Sequence, residues 1–123
     1  MKLFRSKAEA TAELIEEDWG TLNWLAGKTL NNCDGLTLGR VTIKKGHSNP
    51  KHNHPNCDEV LYLLRGKLNH VIGDRAFLME PGDTTVAPAG VNHVAFSVGD
   101  EDAEMIVAYS SGERQFREEQ QAE

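Results

Sequence analysis

The chain has little cysteine, no long apolar run and no block of like charge, and each absence narrows what it can be. Cys33 and Cys57 are the only cysteines in 123 residues. Small secreted domains stapled by disulfides carry denser sets, so reduced thiols and a cytoplasmic location are expected. The longest apolar runs, residues 60–64 and 105–109, are five residues each. A helix needs about 20 to cross a bilayer, so no membrane partner is expected. Residues 1–6 include Lys2 and Arg5 but lead into no apolar stretch, and no secretory signal is read there. Acidic side chains outnumber basic ones 19 to 13, for a formal net charge of −6. Without a concentrated positive patch, nucleic acid and anionic lipid are poor partners.

What is present suits one domain with a core of its own. Hydrophobic residues make up 39% of the chain, enough at this length to fold without covalent staples. Ser6 and Glu9 have capping-box spacing, and Ala8, Ala12 and Ile15 then share a face. A short helix over residues 6–17 follows. From Thr21 the text changes to short β-prone runs separated by Gly and Pro. Strands are expected at residues 21–26, 35–45, around the histidines, 58–65, 66–72, 75–80, 84–87, 92–98 and 103–110. Gly73-Asp74 suits a primed hairpin turn and Pro81-Gly82-Asp83 another turn. This punctuation predicts an all-β sandwich or barrel. Three regions result: a helical or extended segment at 1–20, a barrel at 21–111, and a polar tail at 112–123 expected to fray.

Two of the five histidines, His52 and His54, lie two residues apart, and Glu59 follows five residues later. Along a strand, positions i and i+2 point to one face, so His-x-His can aim two imidazoles at one metal. A carboxylate arriving on an adjacent strand can supply a third ligand. Imidazole and carboxylate together suit Fe, Mn, Zn, Ni or Cu. A solvated His-containing loop is the competing reading of these three residues alone.

The surrounding residues make the pattern specific. Gly46, His52, His54, Glu59 and Gly66 occur in the order and spacing of a motif that resembles the first signature of the cupin superfamily. Gly82, Pro88, Gly90 and His93 are similar to the second, with 15 residues between Gly66 and Gly82. The second motif ends at Ser97, where the family usually has Asn at a non-ligand position. The resemblance implies a jelly-roll β-barrel and makes His93 the fourth ligand of one divalent transition metal. A six-coordinate ion held by three nitrogens and one oxygen keeps two open positions, as catalytic sites do.

Strand parity gives a first map of the interior. Glu59, Leu61 and Leu63 should face inward, and Val60, Tyr62 and Leu64 outward. His93, Ala95 and Ser97 should face in, and Val94 and Phe96 out, unless a bulge intervenes. The apolar outward set needs a cover, from the N-terminal segment or a second subunit, and a homodimer is expected. Three further residues are candidates for substrate contact. Arg40, if inward, would bind a carboxylate bidentately, though a solvated Arg is as good a reading. His70 lies in step with Leu68 and Ile72 and could act as an acid–base or support a ligand, or simply pack at a face edge. Cys57, two residues before Glu59, could be redox-sensitive, but such a cysteine is more often a small buried hydrophobe. Trp19 and Trp24 are read as core residues, with a pocket lid as the lesser reading. Asp58 should point away from Glu59, so no catalytic residue outside the ligand set is identified.

Two functions fit. One is a small-molecule enzyme with a mononuclear metal: a dioxygenase, or an isomerase or lyase acting on a sugar or small organic acid. Glu59 argues against the three-histidine thiol dioxygenases of the same superfamily. The other is a non-catalytic binding module for a sugar or small acid. A regulator fused to a DNA-binding helix is disfavoured, because no basic recognition helix is present.

Overall fold

The computed structural model describes residues 1–119 of the chain. Ser6 caps a helix, α1 (Lys7–Ala12): its side chain accepts from Glu9 N–H while Glu9 reaches back to Ser6 N–H, completing the predicted box. The helix is half the predicted length. Residues Ile15–Glu17 form a strand, β1, that turns through Asp18 and Trp19 into β2 (Gly20–Ala26). Asn23 on β2 donates to the Ala10 carbonyl at the end of α1. The predicted face of Ala8, Ala12 and Ile15 is exposed, and Ala10 is buried instead. Six residues of helix are too few for a periodic stripe to form, so contact with β2 decides the burial.

The remaining strands are β3 (Thr37–Ile43), β4 (His52–Asn53), β5 (Glu59–Arg65), β6 (Leu68–Ile72), β7 (Arg75–Met79), β8 (Thr84–Ala87), β9 (His93–Ser97), β10 (Ala103–Tyr109) and β11 (Arg117–Glu118). They form two antiparallel sheets. One has the order β1-β2-β3-β10-β5-β8 and the other β11-β4-β9-β6-β7. The fold is the expected all-β jelly roll with a short N-terminal helix.

Inward residues of the two sheets meet in one core that includes Ile43, Leu61, Leu63, Leu68, Met79, Ala103, Met105 and Val107. Burying one such Leu contributes about 1.5–3 kcal/mol. The parity expected for β5 holds. Glu59, Leu61 and Leu63 are buried, while Val60, Tyr62 and Leu64 are about 40% exposed. On β9, His93, Ala95 and Ser97 are buried and Phe96 is exposed, but Val94 is buried as well. The inward residues of β5 therefore run from a carboxylate at one end of the barrel to apolar core at the other. Tyr109, Val107 and Met105 of β10 do the same in the neighbouring strand.

Two turns position the polar end. Gly66 joins β5 to the next strand at φ 84°, and a Cβ there would meet the Asp102 carbonyl oxygen at 2.7 Å. Only glycine fits both the left-handed backbone and the close approach. Gly90, at φ 78°, donates its N–H to the His54 carbonyl, and Ala89 N–H donates to the Asp58 carboxylate. The turn before β9 is thereby tied to the histidine motif that it complements.

The described part of the segment from 112 packs against the barrel. Arg117 and Glu118 pair with Asn53 and His52 as β11, and Glu119 N–H donates to the Lys51 carbonyl. Phe116 stacks on the His52 ring, 4.7 Å between centroids at 26°. One aromatic anchor and a short strand edge to pair with outweigh the polar composition of the tail. Residues 120–123 of that tail lie outside the described residues.

Candidate metal centre

His52 on β4 and His93 on β9 are direct cross-strand partners. His54 leaves β4 on the same side, and Glu59 opens β5 in the opposite sheet. All four side chains are buried, and one ligand atom from each lies within 4.8 Å of the others. Ring centroids stand 4.9 Å apart for His52–His54, 4.4 Å for His52–His93 and 5.3 Å for His54–His93.

The hydrogen bonds set the tautomers. His52 Nδ1 contacts the Pro50 carbonyl at 2.6 Å, His54 Nδ1 the Gln115 carbonyl at 2.8 Å, and His93 Nδ1 the Val91 carbonyl at 3.1 Å. A carbonyl only accepts, so each Nδ1 carries the proton and each Nε2 presents a lone pair. Yet His54 Nε2 lies 3.0 Å and His93 Nε2 3.2 Å from the same Glu59 oxygen. Lone pairs cannot face a carboxylate that closely without a positive charge between them. Two buried imidazolium rings would meet that need only at a large desolvation cost. A divalent cation meets it with the donor set and outer carbonyl bonds typical of metal-bound histidine. The residues present therefore fit the ion.

Without an ion, burial and the close contacts pull these groups in different directions. Burial lowers the His52 pKa to about 4 and the His70 pKa to about 4. Both rings are neutral at pH 7. Burial is the largest single influence on His93 and pulls it down, but the contact with Glu59, the Glu59 charge and the Val91 carbonyl together outweigh that and leave it raised. Burial alone would raise Glu59; without an ion between them, the close contacts of its oxygen with the His54 and His93 rings instead hold it well below the usual carboxylate range. Burial, and then the charge of Glu59, push Tyr109 well above the ordinary phenol value.

A cavity of about 370 Å³ opens beside these residues, within the size range of small-molecule pockets. His52, His54 and Glu59 form its floor, and Leu22, Val41, Leu61, Met105 and Val107 an apolar wall. Trp19, Trp24, Tyr109, Arg114 and Phe116 line the rest, with Asn49, Glu17 and Glu118. Both tryptophans line the cavity and also pack against the core cluster, so the two sequence readings meet in them.

Three sequence candidates stand elsewhere. Arg40 is on the outer face, ion-paired with Glu104 at 3.0 Å. The inward residues of β3 are Thr37, Gly39, Val41 and Ile43. Gly39 has no side chain there because the Trp24 ring occupies the space, at 2.6 Å from where a Cβ would be. With Thr37 and Gly39 among its inward residues and Leu38 outward, the first half of β3 gives no clear phase. Cys57 is buried in the core cluster, where burial raises its thiol pKa, and it does not line the cavity. His70 points inward beneath the site, with its ring 5.6 Å from His93 and Nδ1 2.7 Å from Thr85 Oγ1. It supports the cluster from behind without reaching the cavity.

Sequence reasoning missed Tyr109, Arg114 and Phe116. Tyr109 pairs with Glu59 across β5–β10, and its ring is 4.7 Å from His54. Parity along residues 103–109 carried that signal. Arg114 and Phe116 sit in the tail, where no periodic pattern marked them.

Two sheets closing over an inward three-histidine, one-carboxylate cluster define a jelly-roll metal-site protein. The Cupin domain family model matches residues 39–109, and the chain belongs to that family. It is 34% identical over 107 residues to germin-like protein 3-5 of Oryza sativa subsp. japonica, covering 80% of this chain and 43% of that protein. Oxalate oxidase 1 of Hordeum vulgare is 30% identical over 110 residues, 83% of this chain and 50% of that one. The chain thus spans half or less of the length of these two relatives. Among solved structures, Bacillus subtilis oxalate decarboxylase, described for its Mn(II) centres, superposes with a TM-score of 0.80 at 22% identity, over 86% of this chain and 29% of that one. No helix of the described residues is long and apolar enough to cross a membrane.

Proposed function

We propose that the chain is a metal-dependent enzyme acting on a small organic acid, with His52, His54, Glu59 and His93 holding one divalent transition metal. The observation that carries this reading is the set of three imidazoles whose Nδ1 protons are committed to carbonyls while two Nε2 atoms converge on one Glu59 oxygen. Manganese is the first ion to test, since it is named for the bacterial decarboxylase. Oxalate-using relatives favour oxidation or decarboxylation of a carboxylic acid over the sugar chemistry that the sequence left open. A bound ion would supply a Lewis acid for the substrate carboxylate and, if redox-active, a path for electrons to O₂. The chain's own part is to orient the acid, exclude water with the apolar wall, and keep His52 neutral for binding.

The test pairs metal content with turnover. Protein made without added metal should carry about one transition metal per chain, and Glu59→Ala should lose it while staying folded. Loaded protein is then offered small mono- and dicarboxylic acids, with O₂ uptake and CO₂ release followed. Metal content unmoved by Glu59→Ala would refute the ligand set. Tight acid binding with no turnover would favour the binding module instead.

The working unit is proposed to be a homodimer. The N-terminal segment lies beside β2, with Lys2 N–H donating to the Asn31 carbonyl and Arg5 donating to the Trp24 carbonyl. It leaves Val60, Tyr62, Leu64 and Val86 exposed on the β5–β8 face. A second copy covering that face should give twice the chain mass by light scattering at micromolar concentration. A monomeric mass would refute it.

A further inference from the structure

Arg114 has no role in the metal cluster, yet its surroundings are built. Its guanidinium lies 4.3 Å from the Trp24 ring, 5.3 Å from Tyr109 and 5.7 Å from Phe116. Tyr109 and Phe116 in turn stand 4.7 Å and 6.1 Å from His54, so a single ring separates the cation from the ligand cluster on either side. Among the described residues Arg114 forms no ion pair and no side-chain hydrogen bond, although eight other basic side chains do pair: Lys2, Arg5, Lys28, Arg40, Lys51, Arg65, Lys67 and Lys44. It is also the one Arg or Lys among the residues lining the cavity. Glu17 and Glu118 share the lining but are exposed and leave the guanidinium unpaired.

We propose that Arg114 is the anion-binding arm of the cavity, receiving one carboxylate of a small acid whose other end reaches the metal. This rests on the metal-dependent reading above and names the substrate class for it. Aromatic faces hold the planar guanidinium and strip water from it, while its N–H edge stays available. A planar fork of donors matches a carboxylate with two parallel hydrogen bonds. Low local dielectric strengthens that contact. A compact dicarboxylate or keto acid has the two ends that this arrangement requires, and a neutral sugar does not. Arg114 also borders a second groove formed with Thr29, Leu30 and Gly112, so the test must show on which side the acid binds.

Malonate and its neutral diamide are titrated by calorimetry into manganese-loaded and metal-free protein, for the native chain, Arg114→Gln and Arg114→Lys. Malonate should bind the loaded native chain and the diamide should not. Arg114→Gln should weaken malonate by roughly 10–100-fold, the scale of a lost charge-assisted pair. Arg114→Lys should recover part of it, which guards against a folding artefact. The Mn(II) spin-resonance signal should persist in both variants, since Arg114 is not a ligand. Malonate affinity indifferent to Arg114→Gln, in either form, overturns the proposal. So does acetate binding as well as malonate with no dependence on metal, because the outer groove would then be the site. Absence of a protein-bound manganese signal in the native chain is a separate failure, of the metal reading, and is seen without any acid present.

Discussion

The candidate centre is gripped from two sides by very unequal structures. On the barrel side, β9 lies between β4 and β6, and β5 lies between β10 and β8. His93 and Glu59 sit in ladders bonded on both flanks, and the core continues directly behind Glu59 through Leu61 and Leu63. On the other side, residues 112–119 form a strap held by a two-residue pairing, the Glu119–Lys51 and Lys28–Gly112 backbone bonds, exchange with the Asn56 side chain, surface ion pairs to Lys28 and Lys51, and the Phe116–His52 and Arg114–Trp24 stacks. The first fixes where ligands stand with continuous ladders and core behind them. The second holds through bonds that lie mostly at the surface, yet sets the His54 tautomer through the Gln115 carbonyl and closes the cavity with Phe116. Segments with few buried contacts open at low free energy. The strap is thus the part of the site able to vary without unfolding the barrel.

The most direct way to break this contrast is removal of the strap. A chain ending at residue 111 should stay folded by circular dichroism yet bind manganese roughly 10–100-fold more weakly, the usual range for losing an outer hydrogen-bond partner of a metal-bound histidine. Glu59→Ala should cost more, because it removes a ligand rather than its support. Equal manganese affinity with and without residues 112–123 would mean that the strap is ornamental and that the barrel side alone fixes His54.

The same inequality explains which parts could be read in advance. His52, His54 and Glu59 stood out because strands impose a period of two, which also made the inward row Glu59–Leu61–Leu63 and an all-β sandwich or barrel legible. His93 and the jelly roll came from the resemblance of the two glycine-punctuated motifs to the cupin superfamily. For Arg40 the solvated reading holds: Gly39 cedes its inward space to Trp24, so the inner face of β3 begins with Thr37 and Gly39 and parity alone left its phase open. The strap was invisible for a different cause. Its anchors are mostly backbone groups, which any residue carries, joined by Asn56, the Arg114 guanidinium and one aromatic ring in a charged stretch. The helix over-ran because a good capping box says where a helix starts and nothing about the β1–β2 hairpin that cuts it short.

A smaller effect probes the barrel side alone. His70 is 1% exposed and pinned to Thr85 of β8, and burial holds its pKa near 4. Unfolded, it takes a proton near its ordinary value of about 6.5. Between those values the unfolded chain binds a proton that the folded chain refuses, so stability falls as pH drops through that window. At about 1.4 kcal/mol per unit, the loss for this residue approaches about 3 kcal/mol by the lower end. His52 adds in the same direction and His93 opposes it, so the useful quantity is a difference between variants. Metal-free native chain and His70→Asn are unfolded in urea at steps from pH 7.5 to 4.5. The native chain should lose more stability across the window than the variant, by as much as about 3 kcal/mol. The strap should not matter to that difference, since His70 packs on His93 and bonds to Thr85 of β8, both on the barrel side. Curves that fall in parallel would mean that His70 is protonated in the folded barrel, and the interior behind the ligands would then be less tightly closed than the strand ladders imply.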